Sequence, residues 1–549
     1  MTDIRRTVLW SVFLLSLFLL WDGWQKHNGH PSMFSPAPAK PAATAASSTV
    51  PGAAALPAAA GASAVAAAAP APAAAASSQL VTVTTDLVKA TVDTRGGSLV
   101  RVELLKHRDA TNPSGHVVVL DAARHYRAET GLLNVAGAPN HQTVMSLVEG
   151  PRELKDGQDS LSLRLESPEQ GGLKLAKTYT FRRGSYAIDV QHEVSNAGAA
   201  AVTPQLYVQL VRDGHVESTG PAMAPSSFTG PALYNDKAKF QKVEFSALDK
   251  DKAEFEKQAN DGWVAMVQHY FASAWLRSEA GAREFYAKKL DGGLYSVGMV
   301  GNFAAVAPGA SAKLNSQLFV GPQEENMLAK LAPGLELVKD YGWFTVLSKP
   351  LFWLLDQLHK VLGNWGWAII ALVVILKAAF YWLNASAYRS MAKMKAVNPR
   401  IQELRERYKN DPQKQQQEMM KIYREEKVNP LGSCLPIFLQ MPFFIALYWV
   451  LLSSVEMRHA PWLGWITDLS VKDPWFILPA LMTASSLLQV WLNPQPTDPM
   501  QAKMMWIMPL AFSFMFFFFP AGLVLYWLTN NILSIAQQWM INKQMGVAK

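Results

Sequence analysis

Residues 365–384 read WGWAIIALVVILKAAFYWLN. At 1.5 Å per residue this apolar run has the length of a helix that crosses a bilayer. One lysine, Lys377, interrupts it. A lysine at the centre of a span costs roughly 3 kcal/mol on insertion scales, so something must lower that cost. Two readings are open at this point. The amine snorkels to nearby headgroups, or it faces a wet, functional cavity.

The wider chain favours a membrane setting. Half of its 549 residues are hydrophobic and only 17% are charged. The apolar residues gather in the final third, in runs too long for a soluble core, which is the pattern of a multispan membrane protein. Cys434 is the only cysteine, so intrachain disulfides and cysteine-cluster metal sites are excluded. The net charge of +8 raises the question of nucleic acid, and its location answers it. Residues 385–432 hold 11 Lys and Arg against 6 Asp and Glu, whereas residues 453–474 hold 2 against 3. That contrast is a positive-inside arrangement, with the Lys377 span running from outside to inside; it reports orientation rather than DNA binding.

Four further spans are expected near 434–452, 475–492, 504–519 and 523–541. The last two are split at Pro520-Ala-Gly522, because one helix from Met504 to Met540 would be roughly 55 Å long. None of these segments contains Asp or Glu, so Lys377 has no carboxylate partner at its depth. Trp527, Asn531, Ser534 and Gln538 share one helical face, and Gln440 and Gln489 add polar groups. Such residues commonly bond helices together. Gathered around an unpaired lysine, they read better as the lining of a water-accessible groove.

Upstream, Arg5 and Arg6 precede the apolar run Thr7–Trp21, the pattern of a signal anchor (1–24) with its N-terminus in the cytoplasm. Asp22-Gly-Trp-Gln-Lys follows where a cleavage site would need small residues, so the anchor is expected to stay uncleaved. Residues 25–78, rich in Ala and Pro, should form an extended tether. From 79 to 321 the pattern changes to period two. Leu173, Leu175, Tyr179 and Phe181 share a face opposite Lys174, Thr178 and Thr180, and Leu206, Val208 and Leu210 repeat it. These strands predict a large antiparallel sandwich outside the cytoplasm. Its histidines (His107, His116, His125, His141, His192, His215, His269) show no metal-ligand spacing, and no GxSxG or phosphate loop is present. A binding or scaffolding role without cofactor is expected rather than enzyme activity.

Between sandwich and core, 322–363 contains an amphipathic helix. Leu351, Leu354, Leu355, Leu358 and Leu362 lie opposite Asp356 and Lys360, which suits the outer membrane surface; packing on the soluble domain is the competing reading. In 385–432, Met394, Val397, Ile401, Leu404 and Tyr408 recur at helical steps, break at Asn410-Asp411-Pro412, and resume at Met419, Ile422 and Tyr423. This is a cytoplasmic helical hairpin, with a basic surface suited to anionic lipid or ribosomal RNA.

Four stretches carry a resemblance: YRSMAKMKAVNPRIQELRERY from Tyr388, EKVNPLGSCLPIFLQMP from Glu426, TDPMQ from Thr497 and FPAGLVLYW from Phe519. With the anchor and the β domain, the chain resembles the YidC family of membrane protein insertases in its Gram-negative form. The resemblance implies a polytopic α-helical membrane protein of six spans, with a five-helix insertase core (364–549) and a periplasmic all-β supersandwich. It implies a hydrophilic groove open to cytoplasm and lipid but closed outside, with both termini cytoplasmic. Lys377 stands where the family usually has arginine, keeping the charge but losing the guanidinium fork. Gln440, Met441, Phe444, Tyr526 and Trp527 match groove or substrate-contacting positions, to which Gln489, Asn531 and Ser534 are added. Met394, Arg400, Arg405, Arg407 and Tyr408 belong to the recruitment hairpin. The partners implied are nascent inner-membrane proteins, the Sec translocon and its accessory subunits, the ribosome, the signal-recognition receptor and membrane lipids, with no DNA. Two rival functions are a small-molecule anion transporter and a structural partner of the Sec translocon. The first would carry an inverted repeat, and none is visible.

Overall fold

The computed structural model describes residues 78–109, 112, 114–216, 227–277, 279, 281–409, 411–426, 435–493 and 499–546. The expected anchor (1–24), all but the last residue of the tether, and Cys434 lie outside them. The chain divides into two compact units, 1–338 and 339–549.

The first unit is built from two antiparallel sheets. One runs Leu80–Thr84, Val88–Asp93, Ser98–Arg108, Arg127–Leu133, Gln205–Asp213, Leu294–Asn302, Arg283–Leu290, Gln258–Ala259, with His116–Asp121 paired to Ser98–Arg108. The other runs Lys239–Lys242, Gly230–Asn235, Trp263–Val267, Phe271–Leu276, Ser311–Pro322, Ala187–Asn196, Leu173–Arg182, Ser160–Glu166, Ser146–Leu147. Alternation sets the burial: Leu161, Leu163 and Leu165 point inward between polar neighbours. The turn into Leu173–Arg182 needs glycine. Gly171 has φ +60, and a Cβ there would meet the Ala136 carbonyl oxygen at 2.5 Å. Two short helices, α1 (Phe245–Asp249) and α2 (Glu325–Leu331), complete the unit.

Polar side chains tie the two sheets together. Lys177, wholly buried, donates to the carbonyls of Gly96 (2.5 Å) and Thr130 (2.8 Å). His192 Nε2 also crosses, 3.0 Å from Thr130 Oγ1, while within the first sheet Gln209 donates to Glu129 at 2.6 Å and Tyr286 donates to Gln209 at 2.9 Å. Burial pushes the Lys177 amine down to about 7, against the pull of Glu129. Burial likewise holds His192 well below the usual histidine range, so it is a neutral core residue. Among the described residues no group of three His, Cys, Asp or Glu side chains is placed to hold a metal.

The second unit is helical: α3 (Thr345–Leu362), α4 (Trp365–Ala379), α5 (Tyr381–Arg407), α6 (Pro412–Glu425), α7 (Leu435–Ser453), α8 (Ile477–Leu492), α9 (Pro499–Phe516) and α10 (Ala521–Gln544). Its core joins Leu351 and Leu355 of α3, Leu372 and Val373 of α4, Ala446 and Leu447 of α7, and Leu523 and Val524 of α10. The amphipathic helix α3 thus packs Leu351, Leu354, Leu355 and Leu358 within this unit, with Leu362 exposed, and Ser348 donates to the Ala446 carbonyl at 3.2 Å. In the hairpin, Val397 and Ile401 of α5 pack with Met419, Ile422 and Tyr423 of α6. The Asp411 side chain caps α6 by accepting from Lys414 N at 3.1 Å.

Of the six expected spans, the anchor lies outside the described residues, and the other five do not appear there as five long apolar helices. Among the described residues no single helix is long and apolar enough to cross a membrane. Residues 365–384 are not one rod: α4 and α5 are together long and apolar enough to cross a membrane but meet at a 68° bend. Gln440–Ser453, Ile477–Leu492 and Ala502–Phe516 are shorter apolar helices. The physical reasons differ by helix. α10 is long enough but carries Thr529, Asn530, Asn531, Gln537 and Gln538, and α9 stops at Phe516, ahead of Pro520.

Candidate functional site

Lys377 lies in the last turn of α4 and is half-buried. Its ammonium donates to Ser534 Oγ on α10 at 2.7 Å, and Ser534 in turn donates to the carbonyl of Asn530 at 2.7 Å. Tyr388 of α5 bonds the same serine through its side chain. The Asn530 side chain accepts from Gln440 of α7 at 3.1 Å, so α4, α5, α7 and α10 meet in one polar layer. Asn531, the next residue, turns to α8 and donates to Ser485 (3.1 Å) and Ser486 (3.0 Å). Two turns on, Gln538 donates to Asn493 at 2.9 Å.

Beside this layer, toward the N-terminal end of α10, lies an aromatic cluster. Phe444 of α7 stacks on Tyr526 (centroids 5.9 Å apart) and meets Trp527 edge to face at 4.2 Å; Phe516 meets Trp527 at 4.8 Å. Such pairs lock side-chain orientation more than they add affinity for each other. The N-terminal end of α10 is held by the connection between α7 and α8. Ala521 N donates to the Val471 carbonyl (2.7 Å) and Gly522 N to that of Leu469 (2.9 Å). Asp473, buried there, accepts from Trp465 Nε1 at 3.0 Å and from Leu478 N at 2.7 Å. Lys339, also buried, pairs with Glu456 at 3.0 Å, tying the segment before α3 to the end of α7.

Of the sequence-derived residues, the structure brings together Lys377, Gln440 and Ser534 through Asn530, and Phe444, Tyr526 and Trp527 as neighbours. Asn531 faces α8 on the same helix. Met441 is exposed on α7 and is not drawn into the cluster. Gln489 sits half-buried on α8, and its backbone carbonyl accepts from Asn493 N. In the hairpin Arg400 pairs with Glu426 at 2.5 Å, and Lys414 lies 5.3 Å from the Tyr408 ring. Arg407 is exposed, Arg405 is half-buried, and Met394 packs against Val397 and Ile401. Sequence reasoning missed Asn530 and Gln537. Asn530 was legible: it stands three residues after Trp527 and four before Ser534, on the face already drawn.

Two family models match the chain: the YidC periplasmic domain over residues 80–354, and the 60Kd inner membrane protein over residues 357–548. The chain is 55% identical over 557 residues to the membrane protein insertase YidC of Cupriavidus necator, covering 100% of this chain and 99% of that one. The chain belongs to the YidC family of membrane protein insertases. The Burkholderia ambifaria member is 53% identical over 552 residues, with the same coverage. A crystal structure of an active YidC insertase with its first transmembrane domain resolved is similar at 20% identity and a TM-score of 0.40, covering 84% of this chain and 92% of that one. As a YidC-family member the chain is an inner-membrane protein with a β-sandwich periplasmic domain and a helical C-terminal region, and the family's role is insertion rather than enzymatic turnover.

Proposed function

We propose that this chain inserts nascent membrane proteins by receiving their polar, often acidic, external segments at the Lys377 layer. One observation carries the reading. The Lys377 ammonium is bonded to a neutral hydroxyl, with no acidic residue in the α4, α7, α8, α9 or α10 sequences to balance it. An uncompensated cation beside Gln440, Asn530 and Asn531 lowers the cost of admitting a carboxylate. The layer is then the wall of a hydrophilic groove, with Gln489 and Met441 toward its margins. The hydrophobic part of the substrate leaves along Phe444, Tyr526 and Trp527 into lipid. Hydrophobic partitioning drives the step, with the membrane potential acting on acidic residues.

In this reading the chain crosses the membrane six times with both termini cytoplasmic, and α4 joins the start of α5 in one bent crossing. The basic hairpin of α5 and α6 receives the ribosome and the signal-recognition receptor, and the Sec translocon joins for larger substrates. A photo-crosslinker in a nascent chain should react at Gln440, Phe444 and Tyr526 in membranes depleted of Sec. Crosslinks confined to Sec-containing membranes would favour a structural assembly role instead.

A further inference from the structure

The bend between α4 and α5 has no cause in its own sequence. Sharp helix kinks arise at proline, at glycine or serine pairs, at π-bulges, or where another side chain intrudes. Lys377–Leu383 reads KAAFYWL, which contains neither proline nor glycine, yet the two helix axes diverge by 68°. At the break Phe380 leaves helical geometry (φ −94, ψ 12) while its N–H still donates to the Leu376 carbonyl and its own carbonyl still accepts from Asn384 N, both at 3.0 Å, so it is contacts from outside that favour the bent form over a continuous helix.

That support comes largely from one face of α10. Ser534 and Gln537 are three residues apart, both buried, and they grip the bend from its two sides. Ser534 accepts from Lys377 before the break, and Gln537 Nε2 donates to the Tyr381 carbonyl after it at 3.2 Å. From α7, Phe443 meets Phe380 at the corner itself, with ring centroids 5.1 Å apart. We infer that Gln537 is a positioning residue: by holding the Tyr381 carbonyl it fixes the α4–α5 bend, and the bend sets where Lys377 presents its ammonium. The same contact sets the direction in which α5 carries the hairpin away. The functional half of this inference rests on the Lys377 reading above; the mechanical half does not.

The test uses the full chain in liposomes, in a Cys434→Ser background, with spin labels at the exposed positions Val374 of α4 and Glu403 of α5. Gln537→Met keeps the side-chain length and removes the donor; Gln537→Leu serves if the first variant does not accumulate. The inference expects the label-to-label distance distribution to broaden or shift. It also expects insertion of a substrate with an acidic external tail to fall about five-fold, the weight of one hydrogen bond, with a neutral-tailed substrate little changed. In a Lys377→Ala background the Gln537 substitution should add nothing further for the acidic tail. An unchanged distance distribution overturns the clamp, whatever Lys377 does. A broadened distribution with equal loss on both tails overturns the claim that the clamp acts through Lys377. Whether Lys377→Ala alone discriminates between the tails tests the groove reading separately.

Discussion

Lys177 in the sandwich is wholly buried and gives its amine to two backbone carbonyls, near Glu129; Lys377 in the helical unit is half-buried and bonds one serine hydroxyl, with no acidic residue in the α4, α7, α8, α9 or α10 sequences. The same chemical group therefore has two different standings. Lys177 is enclosed by fixed acceptors and serves to join sheets. Lys377 keeps part of its surface and part of its charge unspent, which is what a transient anionic partner requires. Apolar surface divides the same way. Among the described residues of the sandwich, only Leu80, Val148 and Val216 are exposed large hydrophobics, while the helical unit displays Trp382, Trp491, Phe514, Trp539 and many others. So many exposed large apolar side chains are unusual in water and ordinary in lipid.

The contrast breaks most visibly at Lys177. Lys177→Ala removes two charge-assisted hydrogen bonds, orphans the Gly96 and Thr130 carbonyls and leaves a cavity. The sandwich should lose about 3 kcal/mol or more. Denaturant unfolding of the full chain in detergent, followed through the β-sheet signal, measures it; an effect below 1 kcal/mol would show that the sheets are not joined there.

Next in size is a charge placed on the two kinds of exposed apolar surface. Phe514 of α9 is 68% exposed and Leu80 of the sandwich 67%, so exposure alone does not separate them. Phe514→Lys should cost roughly 3 kcal/mol if that face meets hydrocarbon, and Leu80→Lys should stay within about 0.5 kcal/mol. Resistance of the membrane-embedded chain to alkaline extraction and protease reads the difference. Equal behaviour of the two variants would remove Phe514 from the lipid-facing surface.

Titration sharpens the sandwich side. Between about 7 and the ordinary lysine value of 10.5, the unfolded chain holds a proton that folded Lys177 has shed. Stability of the sandwich therefore rises with pH through that window, by up to about 1.4 kcal/mol per pH unit. His192, pushed down by burial, extends the same slope below the usual histidine value. Buried tyrosines such as Tyr126, raised to about 12, turn the slope negative above the ordinary tyrosine range. The midpoint of unfolding should climb from pH 7 to 9, and Lys177→Ala should flatten the climb.

Much of this was legible in the chain, for reasons that also explain what was not. Alternation disclosed the sandwich because one face of each strand is dry, and Lys177 stood in plain view within it. It occupies the same phase as Leu173, Leu175, Tyr179 and Phe181, the only polar residue in that row. A charge on the buried face is a signal that a search for apolar residues passes over. Helical periodicity likewise found Ser534 and Asn531 but drew the polar stripe too narrowly to include Asn530 and Gln537. The α4–α5 bend was not legible at all. Its local sequence favours a continuous helix, and the contacts from Ser534, Gln537 and Phe443 lie far along the chain.

A small expected effect on stability belongs to the residue with the largest expected effect on function. Lys377→Ala forfeits one hydrogen bond from a half-buried amine, and the freed Ser534 hydroxyl still donates to the Asn530 carbonyl. The helical unit should therefore lose no more than about 1 kcal/mol. Insertion of a substrate with an acidic external tail should nonetheless fall about ten-fold, the weight of one desolvated charge pair, and a neutral tail should insert nearly as before. Lys377→Arg, which keeps the charge and adds a fork, should restore the acidic substrate. A Lys377→Ala chain that unfolds as readily as Lys177→Ala would make both lysines structural. The uncompensated cation would then have no claim as the receiving site.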